Sequence, residues 1–242
     1  MTPYWIIYSI PIVASLFDNR FKKKFQYQIY FLTIIILTIF IGLRHGVGGD
    51  WPSFFKYYSV EGDRPLLIFH TYTSLAYYFL LKVFYKLGLS IYSFHLFLSI
   101  VFFWCFHQFV KKEQDVFLPL IIAIPYIITV AVIGYARQGL ALGFIMYSFV
   151  FLTNDQRSKF IICTLLATFM HISAIFNFIF LLAYANKLSL RFFLSVCFVI
   201  VITYFLYDID KKEIHKLFKF YIGSGVYFES AGVKFRIILN AI

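Results

Sequence analysis

Between Val116 and Thr153 the chain carries a single charged side chain, Arg137. Comparable apolar runs recur at Tyr4–Phe17, Tyr27–Leu43, Ile91–Val110, Phe117–Gly134, Leu140–Leu152, Phe160–Tyr184 and Leu190–Tyr207. Segments of this kind have few ways to fold. About 20 apolar residues form a helix that crosses the hydrocarbon core of a bilayer, with every backbone group bonded inside the segment. Charged residues make up 14% of the chain, against ~25% in soluble domains. The expected fold is therefore all-α, a polytopic transmembrane helical bundle of about seven spans. It forms a single integral membrane domain over residues 1–242.

The net charge of +11 raises the question of nucleic acid, but the basic residues sit in short runs between apolar segments. That is the distribution of cytoplasmic loops under the positive-inside rule, so no nucleic-acid partner is expected. The run Arg20-Phe21-Lys22-Lys23-Lys24 follows the first apolar segment instead of preceding it. A signal peptide has the opposite polarity. The first helix is therefore read as retained, with its N-terminus outside and the basic run inside. Counting on from there, Arg44–Pro52 and Tyr135–Gly139 face outward, while Lys111-Lys112, Arg157 and Lys159 face the cytoplasm.

Leu66–Leu87 is less regular. His70, Thr73, Ser74 and Tyr77 recur at spacings of three and four and share one helical face. Pro65 is placed to open the helix and Gly88 to close it. Read as a span, this helix would put Lys111-Lys112 outside and weaken the charge bias. Read as an amphipathic interfacial or re-entrant helix, it keeps that bias, and this reading is favoured. Cys105, Cys163 and Cys197 lie inside apolar segments without ligand spacing and read as small buried hydrophobes. Gly223–Ile242 mixes small, polar and charged residues and receives no placement.

The chemistry-bearing stretch is Arg44-His45-Gly46-Val47-Gly48-Gly49-Asp50-Trp51-Pro52, continuing to Tyr57-Tyr58. Glycines permit close backbone approach to a ligand, and an arginine presents a planar fork of donors suited to phosphate or carboxylate. The competing reading is a polar loop with glycine turns. Among the acidic residues only Asp50, Glu61 and Asp63 face outward under this topology. Asp63 is accounted for as a helix cap, which leaves Asp50 as the leading external general base. Arg137 interrupts a long uncharged stretch. It is read as facing an external cavity at the depth of Arg44, against the alternative of a snorkelling boundary residue. His171 is an ionisable group within a span and hence a functional candidate. The alternative is a neutral histidine bonded to a helix carbonyl. His95, His107 and His215 read as structural. No metal-ligand spacing, P-loop, nucleophile elbow or dinucleotide fingerprint is present, so no metal or cofactor is expected.

Three signatures stand in order: Arg44…Gly48-Gly49-Asp50-Trp51…Tyr57, then Arg137-Gln138-Gly139-Leu140-Ala141, then Ala167…His171-Ile172-Ser173-Ala174. Together they resemble the EpsG family, a Wzy-like group of bacterial polysaccharide polymerases. Family members usually have another residue where Gly49 stands and run longer, so the chain is expected to correspond to the N-terminal two-thirds of a longer family domain. The resemblance implies a multi-pass protein of the bacterial cytoplasmic membrane. It would transfer a growing glycan from undecaprenyl diphosphate to another lipid-linked repeat unit at the outer face, in capsule, exopolysaccharide or O-antigen synthesis. It also implies roles: Asp50 and His171 as catalytic bases, and Arg44 and Arg137 on the diphosphate. Gly48, Gly49, Trp51, Tyr57, Tyr58, Gln138 and Ser173 would contact substrate. Implied partners are the undecaprenyl-diphosphate-linked oligosaccharide, membrane lipid, and the flippase and chain-length regulator of the same pathway. Two other functions compete: a non-catalytic lipid-linked glycan flippase, and a membrane acyltransferase that modifies glycans.

Overall fold

The second helix, α2 (Lys23–Gly42), shows how the sequence builds this fold. Tyr30, Thr33, Ile34, Leu37, Thr38 and Ile41 recur three and four residues apart and are all buried, forming the one helix face that packs on the bundle. Its other face is also apolar, with Phe31, Leu32, Ile35 and Ile39 exposed. A helix that is hydrophobic all round is suited to lipid on its outer face. Thr33 and Thr38 return their hydroxyl protons to the carbonyls of Ile29 and Ile34, at 2.8 and 2.7 Å. They therefore place no unpaired polar group in an apolar setting.

The computed structural model describes residues 2–16, 23–60, 74–111, 113 and 115–184. All belong to one compact unit, Met1–Lys187. Among them there is no strand. The first helix, α1, is Thr2–Leu16. After α2 come α3 (Trp51–Val60), α4 (Leu75–Lys86), α5 (Ile91–Val110) and α6 (Phe117–Ala123). A π-helical segment, Ile124–Val132, continues α6. It is followed by α7 (Ala136–Thr153) and α8 (Arg157–Met170), then a 3₁₀ segment (Ile172–Phe178) and α9 (Ile179–Tyr184).

Helix α5 divides the core. Its C-terminal half supplies Phe102, Phe103, Phe106 and Val110 to a cluster shared with α1, α2, α6 and the π segment. Its N-terminal half supplies Ile91, Phe94 and Leu98 to a second cluster with α3, α4, α7 and α8. Helices α7 and α8 pack on each other and on the 3₁₀ segment. There the buried Asn177 donates to Ser148 Oγ at 3.0 Å and to Thr164 Oγ1 at 2.9 Å, tying three elements together. Cys105 and Cys163 are buried free thiols, in line with the sequence reading.

Three helices among the described residues, Lys23–Gly42, Ile91–Val110 and Ala136–Thr153, are long and apolar enough to cross a membrane. Three local expectations change. The expected continuous helix Phe160–Tyr184 breaks at His171, whose backbone is extended (φ −156°, ψ 125°). Helix α7 begins at Ala136, so Arg137 lies in its first turn and not in a loop. The stretch after the glycine loop is a helix, α3, with Pro52 in the first turn, where its missing N–H leaves no gap. Glu61, Asp63, Pro65, His70, Thr73, Cys197, Leu190–Tyr207, His215 and Gly223–Ile242 lie outside the described residues, as do residues 66–73 of Leu66–Leu87. The rest of that segment is α4, with Ser74 at its cap position but making no side-chain bond to the helix.

Candidate functional site

The end of α2, the starts of α3, α5 and α7, and the end of α8 meet at one end of the bundle. The bonds joining them run from Asp50 to Gly134, from His45 to Tyr92 and from Gln138 to His171. The opposite end carries Lys23 and Lys24 at the start of α2, Lys111 at the cap of α5, and Arg157 and Lys159 opening α8.

The glycine loop is fixed by its backbone. Gly48 has φ +110°, and a Cβ there would lie 2.4 Å from the Ile133 carbonyl oxygen. Both conditions admit only glycine. Two residues on, the Asp50 N–H donates to the Gly134 carbonyl at 3.3 Å, and the Asp50 carbonyl accepts from Phe54 at 3.0 Å. Asp50 thus holds the cap position of α3, where the positive end of the helix favours a carboxylate. Gly48→Ala is expected to cost more than the about 1–3 kcal/mol of an ordinary strained backbone, because the clash adds to it. Gly46 also has positive φ, but its Cβ would meet nothing within 4 Å, so Gly46→Ala should cost only about 1–2 kcal/mol. Fluorescence-detected melting in detergent will show the larger fall for Gly48→Ala. Equal falls would mean that the approach to Ile133 does not hold the loop.

Asp50 Oδ2 accepts from Arg137 Nη2 at 3.2 Å in a partly buried ion pair, the side chains being 17% and 24% exposed. Arg137 Nη1 donates to the Tyr78 hydroxyl at 3.4 Å. Its guanidinium lies 5.8 Å from the Phe54 ring and 6.0 Å from the Tyr78 ring, within cation–π range. Arg137 Nε is buried and has no hydrogen-bond partner among the described residues. Two residues further on, at Gly139, α7 meets the π segment backbone to backbone, and a Cβ there would lie 2.7 Å from Val132 Cα. The approach holds Arg137 beside Gly134, and hence beside Asp50.

A second group adjoins the first. Gln138 Nε2 lies 3.4 Å from His171 Nε2. His171 Nδ1 lies 2.8 Å from Ser173 Oγ and 3.3 Å from the Ser173 N–H. Either tautomer is served: a proton on Nδ1 is given to Ser173 Oγ, while a proton on Nε2 leaves Nδ1 to accept the Ser173 N–H. The helix breaks here because His171 itself caps the next turn. His171 is also within electrostatic reach of Arg137 and Asp50.

The remaining expected residues sit around these two groups. Arg44 is buried beneath the loop, 9% exposed, with Nη1 donating to the Ile41 carbonyl at 3.0 Å and Nε to Val47 at 3.3 Å. It closes the C-terminus of α2, and the buried Tyr77 lies within reach of both arginines. Burial pushes the Tyr77 phenol well above its ordinary range. Trp51 is buried and stacks on His95 with centroids 5.3 Å apart. Gly49 faces the Tyr135 ring. Tyr58 donates to the Leu89 carbonyl, which ties α3 to the α4–α5 turn. The side chain of Tyr57 lies outside the described residues. Phe54, Tyr78 and Tyr92 join the site without having been singled out in the sequence, and His45, which the loop motif included without a role, bonds to Tyr92. The signal for Phe54 was its place one turn after Asp50.

The chain was compared with known proteins. The family model described as the EpsG family matches residues 27–242. No curated protein and no solved structure matches the chain.

Proposed function

Because this chain belongs to the EpsG family, polysaccharide-polymerase-like membrane proteins, we propose that it is a glycosyltransferase of the bacterial cytoplasmic membrane that joins lipid-linked oligosaccharide repeat units. The donor is a glycan on undecaprenyl diphosphate, and the acceptor is the sugar hydroxyl of a second lipid-linked unit. The acceptor oxygen forms a bond to the donor's anomeric carbon as the bond from that carbon to the diphosphate oxygen breaks. The hydroxyl proton passes to a base, and the polyprenyl diphosphate leaves with the electron pair.

One observation carries this reading: a partly buried arginine, gripped on one side by Asp50 and within 6.0 Å of the Phe54 and Tyr78 rings, with its Nε donor unpaired among the described residues. Charge builds on the leaving diphosphate in the transition state. A preorganised guanidinium in a low-dielectric site stabilises that charge without reorganising. In this proposal Asp50 fixes the guanidinium and His171, steered by Gln138 and Ser173, receives the proton. Arg44 supports the loop from below and adds positive potential. The basic residues at the far end of the bundle support an outward-facing site.

The test is the fate of the lipid-linked intermediate in cells lacking the gene. Single repeat units should accumulate on the outer face and be cleared only when the chain is restored. Accumulation on the inner face would replace this reading with a flippase.

A further inference from the structure

A cavity opens beside the glycine loop, and it is apolar. It measures about 860 Å³ and is walled by Ile12 of α1, by Ile121, Ile124 and Pro125 of α6 and the π segment, and by Ile133. Val47, Gly48 and Gly134 form its end nearest the site. Polar wall groups answer one another: the Thr129 hydroxyl lies 2.9 Å from that of Tyr8 and 2.6 Å from the Ile124 carbonyl. No charged residue lines it.

The cavity has a sequence cause. Pro125 has no N–H to give and crowds the turn before it, so the helix loosens into π geometry over Ile124–Val132. The cavity lies between this widened turn and α1. The π segment ends at Val132 and the chain stays helical to Gly134, whose carbonyl holds the Asp50 N–H, and Asp50 holds Arg137. An apolar trough therefore runs to within two hydrogen bonds of the cation, past two glycines that put no side chain in the way.

From this continuity we propose that the trough holds the hydrocarbon tail of the lipid-diphosphate donor, with its anionic head at Arg137. The assignment rests on the polymerase reading above. A tail laid here removes apolar surface from the site's mouth and fixes the head group at the end of the trough. The occupant is thus an amphiphile with one long chain and a phosphate-bearing head.

Two experiments on the full chain test it. In the first, donors with the same head carry either an undecaprenyl or a two-isoprene tail. Wild type should prefer the long tail. The double variant Ile12→Trp/Ile121→Trp, which fills the trough, should reduce that preference by about tenfold in kcat/KM and leave the short-tailed donor unaffected. An unchanged preference in a folded variant would overturn the proposal. In the second, undecaprenyl diphosphate bearing a tail-end diazirine is photolysed with the protein in phosphatidylglycerol vesicles. Labelling of peptides containing Ile12, Ile121 or Thr129, undiminished by excess phosphatidylglycerol, is expected. Labelling elsewhere, or loss to phosphatidylglycerol, would mean that ordinary lipid or protein fills the trough. This second readout needs no turnover, so it stands even if wild type polymerises neither donor and the enzymatic reading fails.

Discussion

Replacing Arg137 with alanine will abolish polymer formation, with a loss of at least ~10²–10³-fold in turnover, the range seen when one preorganised donor to a developing anion is removed. The expectation follows from how the side chain is held. Its charge is gripped by Asp50 at 3.2 Å and its plane lies near two aromatic rings, so little reorganisation remains when the diphosphate leaves. Alanine also strands a partly buried carboxylate, which by itself costs stability. Arg137→Lys separates these effects. Lysine keeps the charge beside Asp50 but loses the planar fork and its several donors. It should fold like wild type yet remain far slower. The measurement is the polymer ladder formed in vitro from a lipid-linked donor, beside size-exclusion profiles of each variant. Arg137→Ala working within a few-fold of wild type would remove the guanidinium from the chemistry.

The sequence exposed the parts of this fold that depend on hydrophobic run length. The α5 boundaries, Ile91–Val110, match the apolar run residue for residue, because Ser90 caps its start and the charged Lys111 follows its end. The three polar signatures also proved to be neighbours, at Asp50–Arg137 and at Gln138–His171. What stayed hidden arises from backbone satisfaction inside apolar segments. The break at His171 has no glycine or proline to announce it; the histidine's own ring caps the next turn. The π segment was foreshadowed only by Pro125, which a hydropathy reading passes over because proline is tolerated within spans. The inward turn of Arg44 was also unreadable. Its residue type suits a phosphate equally well, and only the fold brings the Ile41 and Val47 carbonyls to it.

The division of labour between Asp50 and His171 yields the second large effect. Asp50→Asn keeps the shape and an oxygen that still accepts from Arg137, so it should loosen the guanidinium and slow turnover by about tenfold. His171→Gln keeps a polar group near Gln138 but cannot carry a proton between tautomers, so turnover should fall by ~10²–10⁴-fold, the usual contribution of a positioned base. Gln138→Leu and Ser173→Ala remove the groups that aim the ring and leave the ring itself. Their losses should be smaller, and for Ser173→Ala the remaining Ser173 N–H still meets Nδ1. The deciding comparison is single-turnover polymerisation by all four variants at saturating donor. A severe loss in Asp50→Asn alongside near-normal turnover in His171→Gln would reverse the roles, with the carboxylate receiving the proton and the histidine serving as the break that lets α8 end at the site.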